Sequence, residues 1–447
     1  LWEIAPETCH QSVGLCGVGR SGSVESLPGM LSTPVELIRV QRKGSLHFRC
    51  AVAEMQGWRN HHEDAHEMHC QGSAGGFWVL DGHGGDGAAH YGAPELAKEI
   101  GNAMKEMELP ADKEIERGFA AVDSRLRGYV AEHPEKDSGS TVTGALIARQ
   151  TDGTYTAKLC NCGDSRGLLV RGPGEIASDD YQVSIPQHLE ALMSRPDAVL
   201  GDTVPDFRWP VVAESIDHKP SHPTEKRRIE TAGGHVTEDD PPRLDGNLAV
   251  SRGLGDFEYK QDSGRPVPEQ KVSVVPDIYS VSGLKAGTLC ILACDGIWDV
   301  MTGESVAEFI RGSLQRDPNA DLGDLCAELI RLSLRRNSRD NMTVMIVHLL
   351  DGSDWSLMPD EMKNYDKISE QAHDEDARKN NVAFLRKSQF PLEPKPCAVC
   401  KKWIAEMHIC PCKAEFYCNR DCQKKGWKAH KPLCSASGNS GSSPPSR

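Results

Sequence analysis

The chain has 447 residues, room for two or three domains, with 38% hydrophobic and 26% charged residues, the make-up of an ordinary globular protein. A formal net charge of −14 argues against a general affinity for nucleic acid or anionic membranes. No run approaches the roughly 18 apolar residues of a membrane-spanning helix, and the densest, 288-TLCILAC-294, is strand-sized.

Leu1 stands where a start Met would be, so an N-terminal targeting or acylation signal ahead of it stays open. Residues 1–30 are rich in Gly and Ser and read as a loose leader. From about Leu31 to Leu350 short apolar runs alternate with turn signals. Strands are predicted at 77-FWVL-80, 144-GALIA-148, 156-TAKLCNC-162, 288-TLCILAC-294 and 343-TVMIVHLL-350. Helices are predicted at 187-QHLEALMS-194, at 223-PTEKRRIETAGG-234, which opens on Pro and stops at Gly-Gly, and at 304-ESVAEFI-310 and 324-DLCAELIRLSLRR-336. Many strands and few helices argue for an α+β domain with antiparallel sheet. Residues 172–215 read as an insertion or surface excursion, 351–390 as a charged, partly helical linker, 391–434 as a Cys/His module, and 435–447 as a Ser/Gly/Pro tail with nothing to bury.

The 16 cysteines are unevenly placed, seven of them between Cys397 and Cys434. Others, such as Cys290 and Cys294, sit in apolar contexts. This is the pattern of a reduced intracellular protein, cytoplasmic or nuclear, with one metal-binding segment, and not of a secreted disulfide framework.

Three carboxylates stand at strand ends: Asp81 in 78-WVLDGHGGDG-87, Asp295 in 291-ILACDGIWDV-300 and Asp340 in 338-SRDNMTVMIV-347. Asp81-Gly82 alone also fits a hairpin turn. Gathered at one sheet edge, the three would make a hard-oxygen site for Mg²⁺ or Mn²⁺ rather than zinc. The segment 62-HEDAH-66 fits the H-E-x-x-H pattern of zinc proteases. Gly57 and Gly72 bracket it, however, so His61, His62, His66 and His69 are expected on a polar loop or strand surface.

Eight stretches together carry a resemblance. They are 55-MQGWRNHHEDAH-66, 77-FWVLDGHGG-85, 138-SGSTVTGALI-147, 161-NCGDSRGLL-169, 217-DHKPSHPTEKRRIETAGGHV-236, 243-RLDGNLAVSRGLGDFEYK-260, 293-ACDGIWDV-300 and 339-RDNMTV-344. In this order they resemble the metal-dependent protein serine/threonine phosphatases of type 2C. The resemblance covers about Leu31 to Leu350 and implies two stacked antiparallel β-sheets flanked by α-helices, with a two-metal site at one end and a flap over 217–260. It implies that Asp81, the Gly82 carbonyl, Asp295 and Asp340 bind Mg²⁺ or Mn²⁺. Glu63 and Asp64 would hold metal-bound waters or a ligand position. Asp164 and Asp299 match positions linked to a weaker third metal, although capping roles stay open for both. Arg59 would grip the substrate phosphate. His83 would protonate the departing serine or threonine oxygen after in-line attack by an activated water. Arg166, Asp217 and Arg252 read as structural. The family usually has Met where His62 stands.

The segment 397-CAVCKKWIAEMHICPCKAEFYCNRDCQKKGWKAHKPLC-434 supplies seven Cys and His430, the eight soft ligands that two tetrahedral zinc sites need. So short a piece depends on metal to fold. It resembles the MYND zinc finger, whose interleaving would group Cys397, Cys400, Cys418 and Cys422 at one Zn²⁺ and Cys410, Cys412, His430 and Cys434 at the other. The pair Cys410/Cys412 has C-x-C spacing where C-x₂-C is usual, and His408 is a spare ligand. The resemblance implies a peptide or protein partner. The basic face, with Lys401, Lys402, Lys413, Lys424, Lys425, Lys428 and Lys431, reads as solvated rather than nucleic-acid-binding. Two functions follow: a phosphatase acting on phosphoproteins with a recruiting finger, or a phosphoprotein-binding adaptor with little turnover.

Overall fold

The computed structural model describes residues 30–104, 107–175, 181–194, 207–353, 355–370, 374–392 and 394–435. Nearly all of the expected leader and tail, and parts of the 172–215 stretch, lie outside these residues. The strands are β1 (Met30–Val35), β2 (Ile38–Gly44), β3 (Phe48–Met55), β4 (Gly57–Arg59), β5 (Ala65–Gln71), β6 (Ala74–Leu80), β7 (Gly82–His83), β8 (Gly139–Ser140), β9 (Val142–Arg149) and β10 (Tyr155–Cys162). They continue with β11 (Arg166–Val170), β12 (Gln182–Ser184), β13 (Val211–Glu214), β14 (Leu254–Gly255), β15 (Asp277–Leu284), β16 (Leu289–Ala293), β17 (Met342–Leu349), β18 (Glu361–Lys363), β19 (His408–Ile409) and β20 (Phe416–Tyr417). The helices are α1 (Gly87–Gly101), α2 (Asp112–Glu132), α3 (Gln187–Met193), α4 (Pro223–Thr231), α5 (Asp295–Trp298), α6 (Gly303–Arg316), α7 (Leu322–Arg335), α8 (Lys367–Glu370), α9 (Glu375–Lys387) and α10 (Arg420–His430).

Two antiparallel sheets stack face to face. One has the order β12-β15-β10-β9-β6-β5, the other β13-β11-β16-β17-β3-β2-β18. Side chains alternate across each strand. Phe77 and Val79 of β6 therefore meet Met345 and Val347 of β17 between the sheets. Trp78 and Leu80 point outward beneath α1 and α2, and Val344 and Ile346 pack under α6 and α7. Burial on both faces is why these strands read as unbroken apolar runs. Every predicted strand and helix forms, with ends shifted by a few residues. Among the described residues no helix is long and apolar enough to cross a membrane.

Two stretches differ from expectation. Within 172–215, β12 and β13 add an edge strand to each sheet, so the described part of this stretch is built into the sandwich. Residues 351–390 do not form a linker. β18 pairs with β2, and Met362, Phe384, Leu385 and Phe390 bury themselves against Val35 and Leu37. High charge hid this, because the few large apolar residues that α9 and β18 bury, Phe384, Leu385 and Met362, are scattered among charged neighbours.

Candidate active site

At one end of the sandwich β6 stops at Leu80, and the chain continues through Asp81 into β7, which pairs with β8. Asp81-Gly82 is therefore no hairpin turn. The Asp81 carbonyl accepts from Thr141 N (2.9 Å) and Ser140 Oγ (3.1 Å). A Cβ on Gly82 would stand 2.4 Å from the Glu63 carbonyl oxygen, so only glycine lets the two acidic segments touch.

The Glu63 segment is pinned from β17. Asn341 Oδ1 accepts from Glu63 N (2.8 Å), and Asn341 Nδ2 donates to the carbonyls of Gln56 (2.9 Å) and His61 (3.0 Å). Thr343 Oγ1 donates to Asp64 Oδ2 (2.6 Å). Asp64 and Asp81 each bring a ligand oxygen within 4.8 Å of the other and of the Cys294 thiol. Asp295 and Asp340 lie outside that tight group but act on it. Burial first, then Asp295, Asp64, Asp340 and Asp164, pushes the Asp81 carboxyl well above the usual range. Burial and then Asp164, Asp340 and Asp299 do the same to Asp295. One oxygen each of Asp64 and Asp295 is buried without any hydrogen-bond partner. Crowded carboxylates with orphaned oxygens fit a hard divalent cation. Burial pushes the Cys294 thiol well above its ordinary range, and a neutral thiol among oxygens suits the floor of such a site rather than its ligand set.

Arg59, 46% exposed at its side chain, reaches Asp340 Oδ2 with Nη2 at 2.5 Å. Asp164 and Asp299 share Lys219, whose Nζ is 3.6 and 4.0 Å from them. Burial raises the Asp164 carboxyl to about 6, with Lys219 opposing and Asp217 and Asp299 assisting. The capping alternative fails for Asp299, because Thr302 caps α6 by accepting from Ser305 N. His83 Nε2 faces Asp256, 2.9 and 3.0 Å from its two oxygens. Burial works against a charged imidazole, but the Asp256 carboxylate outweighs it and His83 titrates above its ordinary value.

Arg166 forks onto Asp217 and also reaches Glu214. Arg252 bridges Glu225 and Asp277. Both are held in ion pairs with neighbouring carboxylates. The HEDAH histidines are not on a helix. His61 and His69 are exposed as expected, but His62 is buried and His66 half-buried beside Glu54, 3.9 and 2.6 Å from its Oε1. His66, on β5, faces α1, and His62, in the loop before it, meets Phe384 of α9, which periodicity around this segment does not reveal.

Beyond α9, β19 and β20 pair and α10 follows, capped by Asn419, which accepts from Cys422 N (2.8 Å). Two tetrads assemble with ligand atoms within 4.8 Å of one another: Cys397, Cys400, Cys418, Cys422, and Cys410, Cys412, His430, Cys434. Cys410 thus joins its group despite the C-x-C spacing, and exposed His408 joins neither. Trp403 leaves the finger to pack on Tyr365, ring centroids 4.7 Å apart. Trp427 lines a shallow groove of about 390 Å³ with Pro411, Gln423 and Lys424.

The sequence profile of protein phosphatase 2C matches residues 48–191 and 196–342. The chain belongs to the protein phosphatase 2C family. The MYND finger profile matches residues 397–434. Protein phosphatase 1A of Bos taurus is 35% identical over 315 residues, 67% of this chain and 70% of the relative. Protein phosphatase 1B of Mus musculus is 31% identical over 318 residues, with the same shares. A solved phosphatase from Toxoplasma gondii aligns with a TM-score of 0.56 and 25% identity over 73% of this chain and 99% of that one. A Caenorhabditis elegans sex-determining protein shares the fold, with a TM-score of 0.51 and 21% identity over 69% of this chain and 66% of that one.

In this phosphatase 2C chain, the motif residues reach one place from five separate segments. The sequence alone gives no role at the site to Asp256, Asn341, Thr343, Cys294 or Lys219. Asp256 carries one local sign, a left-handed backbone (φ 52°) after a glycine in 253-GLGDF-257. The others support neighbours distant in sequence and leave no local trace.

Proposed function

We propose that the protein is a Mg²⁺- or Mn²⁺-dependent serine/threonine phosphatase whose finger recruits its partners. What carries this reading is the buried acidic cluster, with orphaned oxygens on Asp64 and Asp295, at the positions where the family's motifs stand. Asp81, the Gly82 carbonyl, Asp295 and Asp340 would hold two ions, with Glu63 and Asp64 ordering water around them. Asp164 and Asp299 would hold a weaker third. Bound there, the ions would supply the Lewis acidity that makes a water nucleophilic near neutral pH. Arg59 offers a planar fork to the phosphoryl oxygens once it turns from Asp340. His83, whose charged form the Asp256 carboxylate favours, donates its proton to the departing seryl or threonyl oxygen. Phosphoryl transfer of this kind is mostly positioning and charge stabilisation, and no phosphoenzyme is required.

Two Zn²⁺ per chain would fill the tetrads, and the Trp427 groove would take a short Pro-containing peptide. Phosphopeptide turnover measured with Mn²⁺, with EDTA and in Asp295→Asn tests the enzyme: activity present only in the first is expected. Absence of metal-dependent turnover by the folded protein would leave the adaptor function. Fewer than two zinc ions per chain by elemental analysis would overturn the eight-ligand assignment.

A further inference from the structure

The C-terminal extension reaches the active site. Helix α9 is anchored by Phe384 and Leu385 in the cluster with Val35, Leu37 and Met362. One turn on from Phe384, on the same helical face, Lys387 extends over the acidic end. Its ammonium donates to the His62 carbonyl and pairs with Asp86 Oδ2 at 3.0 Å. His62 immediately precedes Glu63 and Asp64, and Asp86 follows the Asp81–Gly82–His83 segment at the start of α1. A single side chain therefore ties together the two loops that carry Glu63, Asp64 and Asp81. The tie is reinforced. Asp86 also accepts from Lys136 (3.1 Å), on the segment leading into β8. Although burial opposes ionisation, Lys387 and Lys136 hold the Asp86 carboxyl down to about 2. The buried His62 ring meets Phe384 edge-on, centroids 5.5 Å apart. A cleft of about 280 Å³ runs between the helix and the two loops.

We propose that Lys387 is a positioning residue for the metal centre, and that α9 belongs to the catalytic scaffold rather than to a tether for the finger. It touches neither the substrate phosphate grip at Arg59 nor the proton donor. Its effect is on how far the Glu63–Asp64 and Asp81–Gly82 loops are already in place before an ion arrives, since ordering them otherwise falls on the binding step. Removing an outer-shell partner of this sort weakens metal binding by about 10-fold or more.

The test uses the full-length protein and four variants: Lys387→Met, Lys387→Arg, Asp86→Asn and, as a control of equal charge change on the exposed face of α9, Lys379→Met. Calorimetric Mn²⁺ titration reads affinity directly, and p-nitrophenyl phosphate hydrolysis at saturating Mn²⁺ gives kcat and KM. The expected result is Mn²⁺ affinity reduced about 10-fold in Lys387→Met and reduced in the same direction in Asp86→Asn. Affinity should be largely regained in Lys387→Arg, and Lys379→Met should match wild type. At saturating Mn²⁺, kcat and KM should return to near wild-type values. A Lys387→Met protein that titrates like wild type, or a loss of kcat that saturating Mn²⁺ does not restore, overturns the proposal. Should Lys387→Met not fold, wild-type affinity in Asp86→Asn does so instead. The inference rests on the metal-centre reading, and the two fail separately. Wild type without Mn²⁺-dependent turnover removes that reading, whereas Mn²⁺ dependence left unchanged by Lys387→Met removes only this inference.

Discussion

The molecule gathers candidate metal ligands in two places, by opposite means. At the acidic end, ligands from Glu63 to Asp340 are delivered by five separate segments of a sandwich whose three apolar layers contain none of those ligands. In the finger, eight ligands lie within 38 residues matched as one unit, and the apolar content beyond the ligands is little more than Ile404 and Tyr417. The lesson is one of causal order. The sandwich makes its site, and the charge crowding there is a strain the fold tolerates. The finger is made by its site.

Metal removal should separate the two most sharply. Zinc binding to finger-sized units is worth about 10–16 kcal/mol. Stripping zinc is therefore expected to unfold 397–434 completely while the sandwich keeps its cooperative melt. Hydrogen exchange resolved by segment checks this, and protection that survives chelation in the finger would break the contrast.

Next in size is Asp81→Asn. Turnover should fall on the order of 10³-fold. The metal-free protein should melt higher, by roughly 1 kcal/mol of added stability, because one charge leaves a mutually repelling group. Calorimetry of the metal-free variant measures it, and a lower melting temperature would show that the cluster is not strained.

Glu225→Gln probes what the sandwich fold does need. Glu225 accepts from Arg252 and Arg228 in a buried network; its loss takes the carboxylate from Arg228 and leaves Arg252 with Asp277, at a cost of about 3–5 kcal/mol. Burial raises the carboxyl pKa values of Glu225 and Asp277, but Arg252 foremost outweighs it and holds both well below the ordinary range. With depressed folded-state values, their stabilisation is complete above the unfolded carboxylate pKa of about 4 and is lost as pH falls through the lower, folded-state values. Urea melts at pH 7 and pH 3 should therefore show the deficit of Glu225→Gln shrinking in acid.

The smallest of these effects is at His83. His83→Gln should reduce kcat about 10²-fold for an alkyl phosphate and much less for p-nitrophenyl phosphate, whose leaving group needs no proton. Equal losses on both substrates would show that His83 does not act as the acid.

Legibility followed the same divide. Strands buried on both faces declare themselves as apolar runs, and the finger's spacing declares its tetrads. The ends of β6 and β16 mark Asp81 and Asp295 as carboxylates at a sheet edge, although no spacing shows that they meet. Residues 351–390 misled, because charge per residue says nothing of how Phe384, Leu385 and Phe390 come together in one cluster. His62 misled for a similar reason: it is buried against Phe384 of α9, which arrives from elsewhere in the chain.

The amino-acid sequence by itself determined the α+β class, the acids at the strand ends and the eight soft ligands, since each is written in local periodicity or spacing. Only the tertiary structure decided that Gly82 abuts Glu63, that Asp256 faces His83, and that Lys387, 301 residues from Asp86, closes over the acidic end. Those contacts are set by how layers stack and where loops cross, and neither periodicity nor spacing encodes them.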